Sequence, residues 1–249
     1  MLTPDSPRCC VVIPAYNEAE HLPALLAEVF QQQSGIAPYE LWVVVVDDNS
    51  PDGSDRVLAE LSAIYPRLTA LHGPKLGLGI AYQRGFAHAL EHLRPELLMQ
   101  MDSDFQHDPK MLPTLVRHCQ PGVAAVVGSR FAPGASTPYF SWRRRAIGRL
   151  GNWLVYRLSG LPHLYDYTSG YRCLNAGMVA RCLPALRGRR LAARGYAFQS
   201  SLIAEILGTG EPVLEVPIVF GPRQHGRSKL GVRDCAEFAL NLRRLRRRR

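Results

Sequence analysis

The 249-residue chain contains no run of eighteen or more apolar residues, so no membrane-spanning helix is expected. Its first residues, MLTPDSPRCC, include Asp5 and lack the apolar centre of a secretory signal. None of the six cysteines (Cys9, Cys10, Cys119, Cys173, Cys182, Cys235) forms a C-x-x-C pair. That argues against a zinc ribbon or a thioredoxin-type centre and leaves reduced, mostly buried thiols of a cytosolic protein. No G-x-x-x-x-G-K-[ST] is present, which excludes a P-loop nucleotidase, and GLGIAY lacks the third glycine and preceding strand of a dinucleotide-binding turn. Neither an internal repeat nor a linker divides the chain.

Positive charge, by contrast, is abundant. The formal net charge is +9, and six of the last seven residues, Arg243 to Arg249, are arginine. Arg143, Arg144 and Arg145 form a second cluster. Such a balance suits an anionic partner: nucleic acid, an acidic bilayer or a phosphate-bearing substrate. A nucleic-acid partner is disfavoured, because no aromatic follows Phe238 in the tail and no nucleic-acid motif accompanies it. A tail that only aids solubility is the plainer alternative.

The first half alternates between two patterns. Cys9 to Ile13, Leu41 to Val46, Leu97 to Met101 and Val123 to Val127 are short Val/Ile/Leu-rich runs that read as strands covered on both faces. Leu22, Leu25, Leu26 and Val29, and then Tyr82, Phe86, Leu90 and Leu93 within Ala81 to Arg94, recur at helical spacing. Asn17 with Glu20 has the spacing of a capping box, although Pro23 then falls late in the helix. The alternation predicts an α/β domain around a mostly parallel sheet, and right-handed crossovers put the loops after the strands on one edge. Those loops read IPAYNE, VVDDNSPDG, MDSDFQ and VGSRF. Acidic clusters and an arginine therefore share the edge at which open α/β sheets bind ligands. Further on, Ser141 to Gly160 predicts a long amphipathic helix, PVLEVPIVF a strand, and Val232 to Arg249 a basic amphipathic helix.

Asp102 and Asp104 place two carboxylates two residues apart at the end of an apolar run. Together with the amide oxygen of Gln106 they suit Mg²⁺ or Mn²⁺, ions that keep part of their shell for substrate phosphates. His107 is read as structural, and Asp108 before Pro109 as a helix start. A metal that holds phosphates implies a nucleotide. Either Asp47 or Asp48 is expected to contact it, the other serving the turn, with Tyr16 and Glu18 walling the base.

In order along the chain, VVIPAYNEAEHLP, VVVVDDNSPDGS, KLGLGIAYQRG, MDSDFQHDP, GSRF, TSGYR and EVPIVF…GRSKLG resemble family 2 glycosyltransferases, most closely the polyprenol-phosphate (dolichyl-phosphate) mannosyltransferase branch. The resemblance covers roughly residues 9 to 231. It implies a single GT-A-like, nucleotide-sugar-binding α/β domain over residues 1–231, followed by the basic amphipathic tail, 232–249. The implied reaction is inverting transfer of mannose from GDP-mannose to a polyprenyl phosphate, with Mg²⁺ or Mn²⁺. The family pattern sets Pro14, Tyr16, Glu18, Val46 and Asp48 beside the nucleotide, and Asp102, Ser103, Asp104 and Gln106 at the metal and diphosphate. Arg130, Arg223 and Lys229 fall where the family has phosphate-binding cations.

Two departures matter. Ser201 stands where the family often has a glutamate, with Glu205 one turn later, and the tail ends in arginines where many members have membrane helices. UDP-glucose as donor and a hydroxyl as acceptor remain the alternatives. Arg143, Arg144 and Arg145 are expected to gather the acceptor phosphate. The tail is expected to hold the protein peripherally on an anionic membrane at its cytoplasmic face.

Overall fold

The computed structural model describes residues 6–187 and 197–222. Arg223, Lys229 and the expected helix over 232–249 lie outside those residues.

Seven strands form one sheet: β1 (Arg8–Ala15), β2 (Glu40–Asp47), β3 (Leu68–His72), β4 (Leu97–Gln100), β5 (Ala125–Ser129), β6 (Arg172–Asn175) and β7 (Val213–Pro217), in the spatial order β3-β2-β1-β4-β6-β5-β7. All neighbouring pairs are parallel except those of β6, which runs against both β4 and β5. Six strands thus end on one edge, and the reversed β6 begins there.

The helices are α1 (Leu22–Gln31), α2 (Ser54–Ile64), α3 (Leu78–His88), α4 (Leu112–His118), α5 (Trp142–Ser159), α6 (Ala176–Arg187) and α7 (Ala197–Leu207). Side chains of α1, α2 and α4 pack into a core with alternate residues of β1 and β2, such as Val11, Ile13, Val43 and Val45. Cys10, Val12, Val44 and Val46 point to the other face and meet α3, α5, α6 and α7. This two-faced burial explains why the central strands read as unbroken apolar runs. Gly85 is where α3 comes closest to the sheet. A methyl group there would stand 2.3 Å from Val12 Cγ1 and 3.0 Å from Val46 Cγ2, so a side chain would push the helix off the strands.

Several boundaries differ from the sequence reading. The capping box of Asn17 and Glu20 does not form: α1 starts at Leu22 behind His21, which makes no side-chain cap, and Pro23 lies in the first turn, where proline is tolerated. Asn17 instead adopts a left-handed backbone with φ 59°. The helix expected over Ala81 to Arg94 begins at Leu78 and ends in a π-helical turn, Ala89–Leu93. The strand expected over Val123 to Val127 begins two residues later, at Ala125. Asp108 accepts from Lys110 N at 2.9 Å and caps a 3₁₀ turn that leads into α4. Cys9, Cys10, Cys119, Cys173 and Cys182 are buried, unpaired thiols; Cys235 is outside the described residues.

Candidate active site

The loops after β1 and β2 are bonded to each other. Asn17 N donates to Ser50 Oγ at 2.9 Å, Ala19 N to Asp52 Oδ2 at 3.0 Å, and Asp48 N to Ala15 O at 3.1 Å. Asp47 is consumed in this turn, accepting from both the backbone N–H and the hydroxyl of Ser50. Asp48 has a different surrounding. Its Oδ1 is 3.3 Å from Arg84 Nη1, and burial raises its pKa against the pull of Arg84. Of the two acids, Asp48 is the one that the turn leaves to an outside partner, Arg84. Tyr16 carries the Lys75 ammonium 3.2 Å over its ring centre. Pro14 and Val46 are register partners in β1 and β2 just beneath. Glu18 N is 3.3 Å from Ser54 Oγ. Lys75 and Arg84 are site cations that sequence reading missed. Both lie in or beside KLGLGIAYQRG, whose glycines and basic residues were the available signal.

The D-x-D segment leaves β4 beside these loops. Tyr82 of α3 donates its hydroxyl to Asp102 Oδ1 at 3.0 Å, and Asp102 N donates to His107 Nδ1 at 3.0 Å. Nδ1 must then be the unprotonated ring nitrogen. Burial holds the His107 pKa down to about 4, and the ring stacks on Tyr171 at 4.8 Å. His107 thus supports the loop, as a structural histidine would. Asp104 Oδ1 accepts from Gln106 N at 3.1 Å, and Gln106 Nε2 lies 3.5 Å from Gly221 O. Ser103 is buried between the two acids. Among the described residues no group of three or more Asp, Glu, His or Cys side chains is set to hold a metal. Two oxygen donors on one loop nevertheless fit Mg²⁺ or Mn²⁺, which are commonly bound by one or two carboxylates with phosphate and water completing the shell.

On the far side of β4, Arg130 follows β5 and meets the segment that enters β6. Its Nε and Nη2 donate to the two oxygens of Asp166, each at 2.8 Å, its backbone N donates to Asp166 Oδ2 at 3.0 Å, and Nη2 reaches Thr168 Oγ1 at 2.7 Å. Burial alone would push the pair toward neutrality, but their mutual attraction outweighs it: Asp166 is held below, and Arg130 above, its ordinary pKa. Arg130 sits on the ligand edge as expected, fixed bidentately. Arg143 and Arg144 begin α5, stacked over Trp142 and Phe140 at 5.4 and 3.9 Å. Ser201 is buried in α7 and donates back to Ala197 O at 2.7 Å.

The family described as Glycosyl transferase family 2 matches residues 10–182. A polyprenol monophosphomannose synthase of Mycolicibacterium smegmatis is 34% identical over 233 residues, 92% of this chain and 83% of that protein. The chain belongs to glycosyltransferase family 2. An undecaprenyl-phosphate mannosyltransferase of Micrococcus luteus is also 34% identical, over 94% of this chain and 92% of its own. A dolichol-phosphate mannosyltransferase of Pyrococcus furiosus is 32% identical over 94% of this chain, which spans 62% of that longer protein. Among solved structures, the mannosyltransferase PcManGT of Pyrobaculum calidifontis, in complex with GDP-Man and Mn²⁺, aligns with TM-score 0.55 at 20% identity, covering 90% of this chain and 60% of its own. Mannosyl-3-phosphoglycerate synthase of Rubrobacter xylanophilus aligns with TM-score 0.60 at 18% identity, over 97% and 73%. At these identities the structural likeness concerns the fold, and the glycosyltransferase fold expected from the motifs is the one found.

Proposed function

We propose that this glycosyltransferase moves mannose from GDP-mannose to a polyprenyl phosphate with inversion, on the surface of an anionic membrane. The observation that carries the reading is the division of one sheet edge: two carboxylates for a metal diphosphate on β4, and a fixed arginine with further arginines beyond it on the β5 side. The mannosyltransferase names of relatives at 32–34% identity support the same substrates.

In this reading Asp102, Asp104 and Gln106 hold Mg²⁺ or Mn²⁺, which when bound neutralises the departing diphosphate. Pro14, Tyr16, Glu18, Val46 and Asp48 contact the nucleoside. Arg223 and Lys229, outside the described residues, add phosphate-binding cations. On the acceptor side Arg130, Arg145, Arg149, Ser136 and Thr137 line a cavity of about 150 Å³. It adjoins an aromatic one of about 370 Å³ containing Trp153, Tyr156 and Tyr165. Phe131 and Arg149 belong to both. A phosphate in the first and an isoprenyl unit in the second match the chemistry of the two linings. Arg143 and Arg144 are proposed to draw the phosphate in.

Among the described residues no helix is long and apolar enough to cross a membrane. Trp142, Ile147, Leu150 and Trp153 of α5 are 73, 70, 55 and 54% exposed, and interleaved arginines make this an interfacial surface. Peripheral attachment at the cytoplasmic face through α5 and the basic segment 232–249 follows as part of the proposal. The test is incubation with radiolabelled GDP-mannose or UDP-glucose, Mg²⁺ and polyprenyl phosphate, followed by lipid extraction. Label from GDP-mannose in the lipid phase is expected. Label from UDP-glucose alone would reassign the donor, and label from neither donor in the lipid phase would remove the acceptor class.

A further inference from the structure

Beneath the D-x-D loop lies a polar cluster that takes no part in the site as described above. Gln100, the last residue of β4, is the register partner of Arg172, the first of β6, and both are fully buried. Arg172 Nη1 donates to Gln199 O at 2.7 Å and to Gln199 Oε1 at 3.3 Å, while Nη2 donates to Tyr167 O at 2.9 Å. Gln100 Nε2 donates to the same Gln199 Oε1 at 3.0 Å. Burial lowers the Arg172 pKa to about 10, and the group remains a cation at neutral pH.

A guanidinium can only donate. The Gln199 side-chain atom facing Arg172 must therefore be the oxygen, and the amide nitrogen is turned the other way. It has no hydrogen-bond partner, although the residue is 2% exposed. A buried, unsatisfied N–H is costly and calls for an explanation. Its direction supplies one. A methyl group built on Gly170 would stand 3.2 Å from Gln199 Nε2, 3.5 Å from His107 Cε1 and 3.6 Å from Asp102 Oδ1, so both polar atoms border the space that the missing side chain leaves. The neighbouring Phe198 stacks on Tyr82 at 6.0 Å, and Tyr82 donates to the same Asp102 oxygen. The first turn of α7 thus approaches one metal-binding carboxylate along two routes.

We infer that Gln199, oriented by Arg172, is a positioning residue whose side-chain N–H fixes Asp102 when the metal diphosphate is bound, and that Gly170 is bare to keep that path open. The inference rests on the proposed function, since Asp102 needs positioning only if it serves a metal.

The test uses the full chain and measures Mn²⁺ binding in the presence of GDP by calorimetry and by the Mn²⁺ paramagnetic resonance signal. Gln199→Glu keeps an oxygen for Arg172 but replaces the N–H with a second carboxylate oxygen. Loss of an orienting partner weakens metal affinity by about 10–100-fold, and that loss is expected with little change in melting temperature. Charge alone predicts the opposite, because an added carboxylate attracts Mn²⁺. Unchanged or tighter binding would therefore overturn the inference and leave Gln199 as a partner of Arg172 only. Gly170→Ala, whose methyl presses most tightly on the amide but also reaches His107 and Asp102, should weaken Mn²⁺ in the same way. It keeps the inference open to refutation if Gln199→Glu does not fold, since wild-type affinity in this variant also overturns the inference. If the unaltered chain binds GDP and Mn²⁺ but the variants match it, only this inference falls. If the unaltered chain binds neither, the proposed function falls with it.

Discussion

Asp47 and Asp48 are adjacent and chemically identical, yet the turn consumes one and leaves the other to Arg84. The same sorting applies to Asp102 and Asp166. Both are acids near a cation, but Asp166 is fully buried with its oxygens taken by Arg130 and Thr168, whereas Asp102 and Asp104 lie at the end of β4 on the ligand edge. Asp104→Asn should abolish turnover, since losing a metal contact removes several kcal/mol of transition-state stabilisation. Excess chelator should inhibit the parent enzyme equally, and full activity in chelator would contradict the metal assignment. Asp166→Asn should act through stability. It leaves the Arg130 cation buried without a counter-charge, which costs roughly 3–5 kcal/mol in urea unfolding at pH 7. The sign with pH follows. Because the folded-state pKa of Asp166 is lowered, the pair contributes fully above the ordinary aspartate pKa of about 3.9 and its contribution is lost as pH falls through the folded value. The acid limb of stability should be shallower in the variant. Sequence patterning marked Asp47, Asp48, Asp102 and Asp104 as a group. It could not separate them, because the separation depends on Tyr82 and Arg84, which arrive from another element.

The amphipathicity of α5 is inverted. Gly148, Asn152 and Val155 turn inward, while Trp142, Ile147, Leu150 and Trp153 face out. Its ends were readable from Ser141 and Gly160, which occupy the N-cap and the left-handed C-cap. Which stripe faces the protein was not, because periodicity gives a stripe and not its neighbour. Two glycines distinguish the faces. A methyl group on Gly148 would lie 2.6 Å from Phe131 Cζ, whereas one on Gly151 meets nothing within 4 Å. Gly148→Ala should therefore cost about 1–3 kcal/mol through overpacking, and Gly151→Ala should gain roughly 0.5–1 kcal/mol from helix propensity. Thermal melts of the two variants check the packing. Replacing Trp142, Ile147, Leu150 and Trp153 together by Ser should leave the melting temperature nearly unchanged but reduce sedimentation with anionic liposomes. Retained sedimentation would move the membrane contact elsewhere, for instance to segment 232–249. The two unforeseen strands have their own reasons. β6 is four residues that open with Arg172 and close with Asn175, so nothing in its composition marks a strand. β3 is a five-residue edge strand that is mostly half-buried.

At the scale of the whole molecule, six co-directional strands and the reversed β6 bring the described polar loops of the candidate site to one edge, and under the proposed function the acceptor needs no general base there. Asp166 is held in its ion pair. Glu205 lies a helical turn beyond Ser201 on α7, near enough to Cys182 of α6 to help raise that thiol's pKa. Asp234 is outside the described residues. A hydroxyl acceptor needs a base to take its proton, and losing one typically costs 10²–10⁴-fold. A phosphate monoester does not: its second pKa is about 6, so near neutrality most of it is already the dianion. Alignment of two phosphates and stabilisation of the leaving group are then what remains for the protein. Glu205→Gln and Asp234→Asn should each keep turnover within about tenfold, below the usual cost of a lost base. The acid limb of kcat/KM should belong to the acceptor, with a midpoint near its second pKa of about 6. A polyprenyl phosphonate, whose second pKa is higher, should carry that midpoint upward with it. A limb that stays in place when the acceptor's pKa changes would instead belong to a group on the enzyme. A thousandfold loss in either amide variant, deepening as pH falls, would identify that group and make a hydroxyl the acceptor.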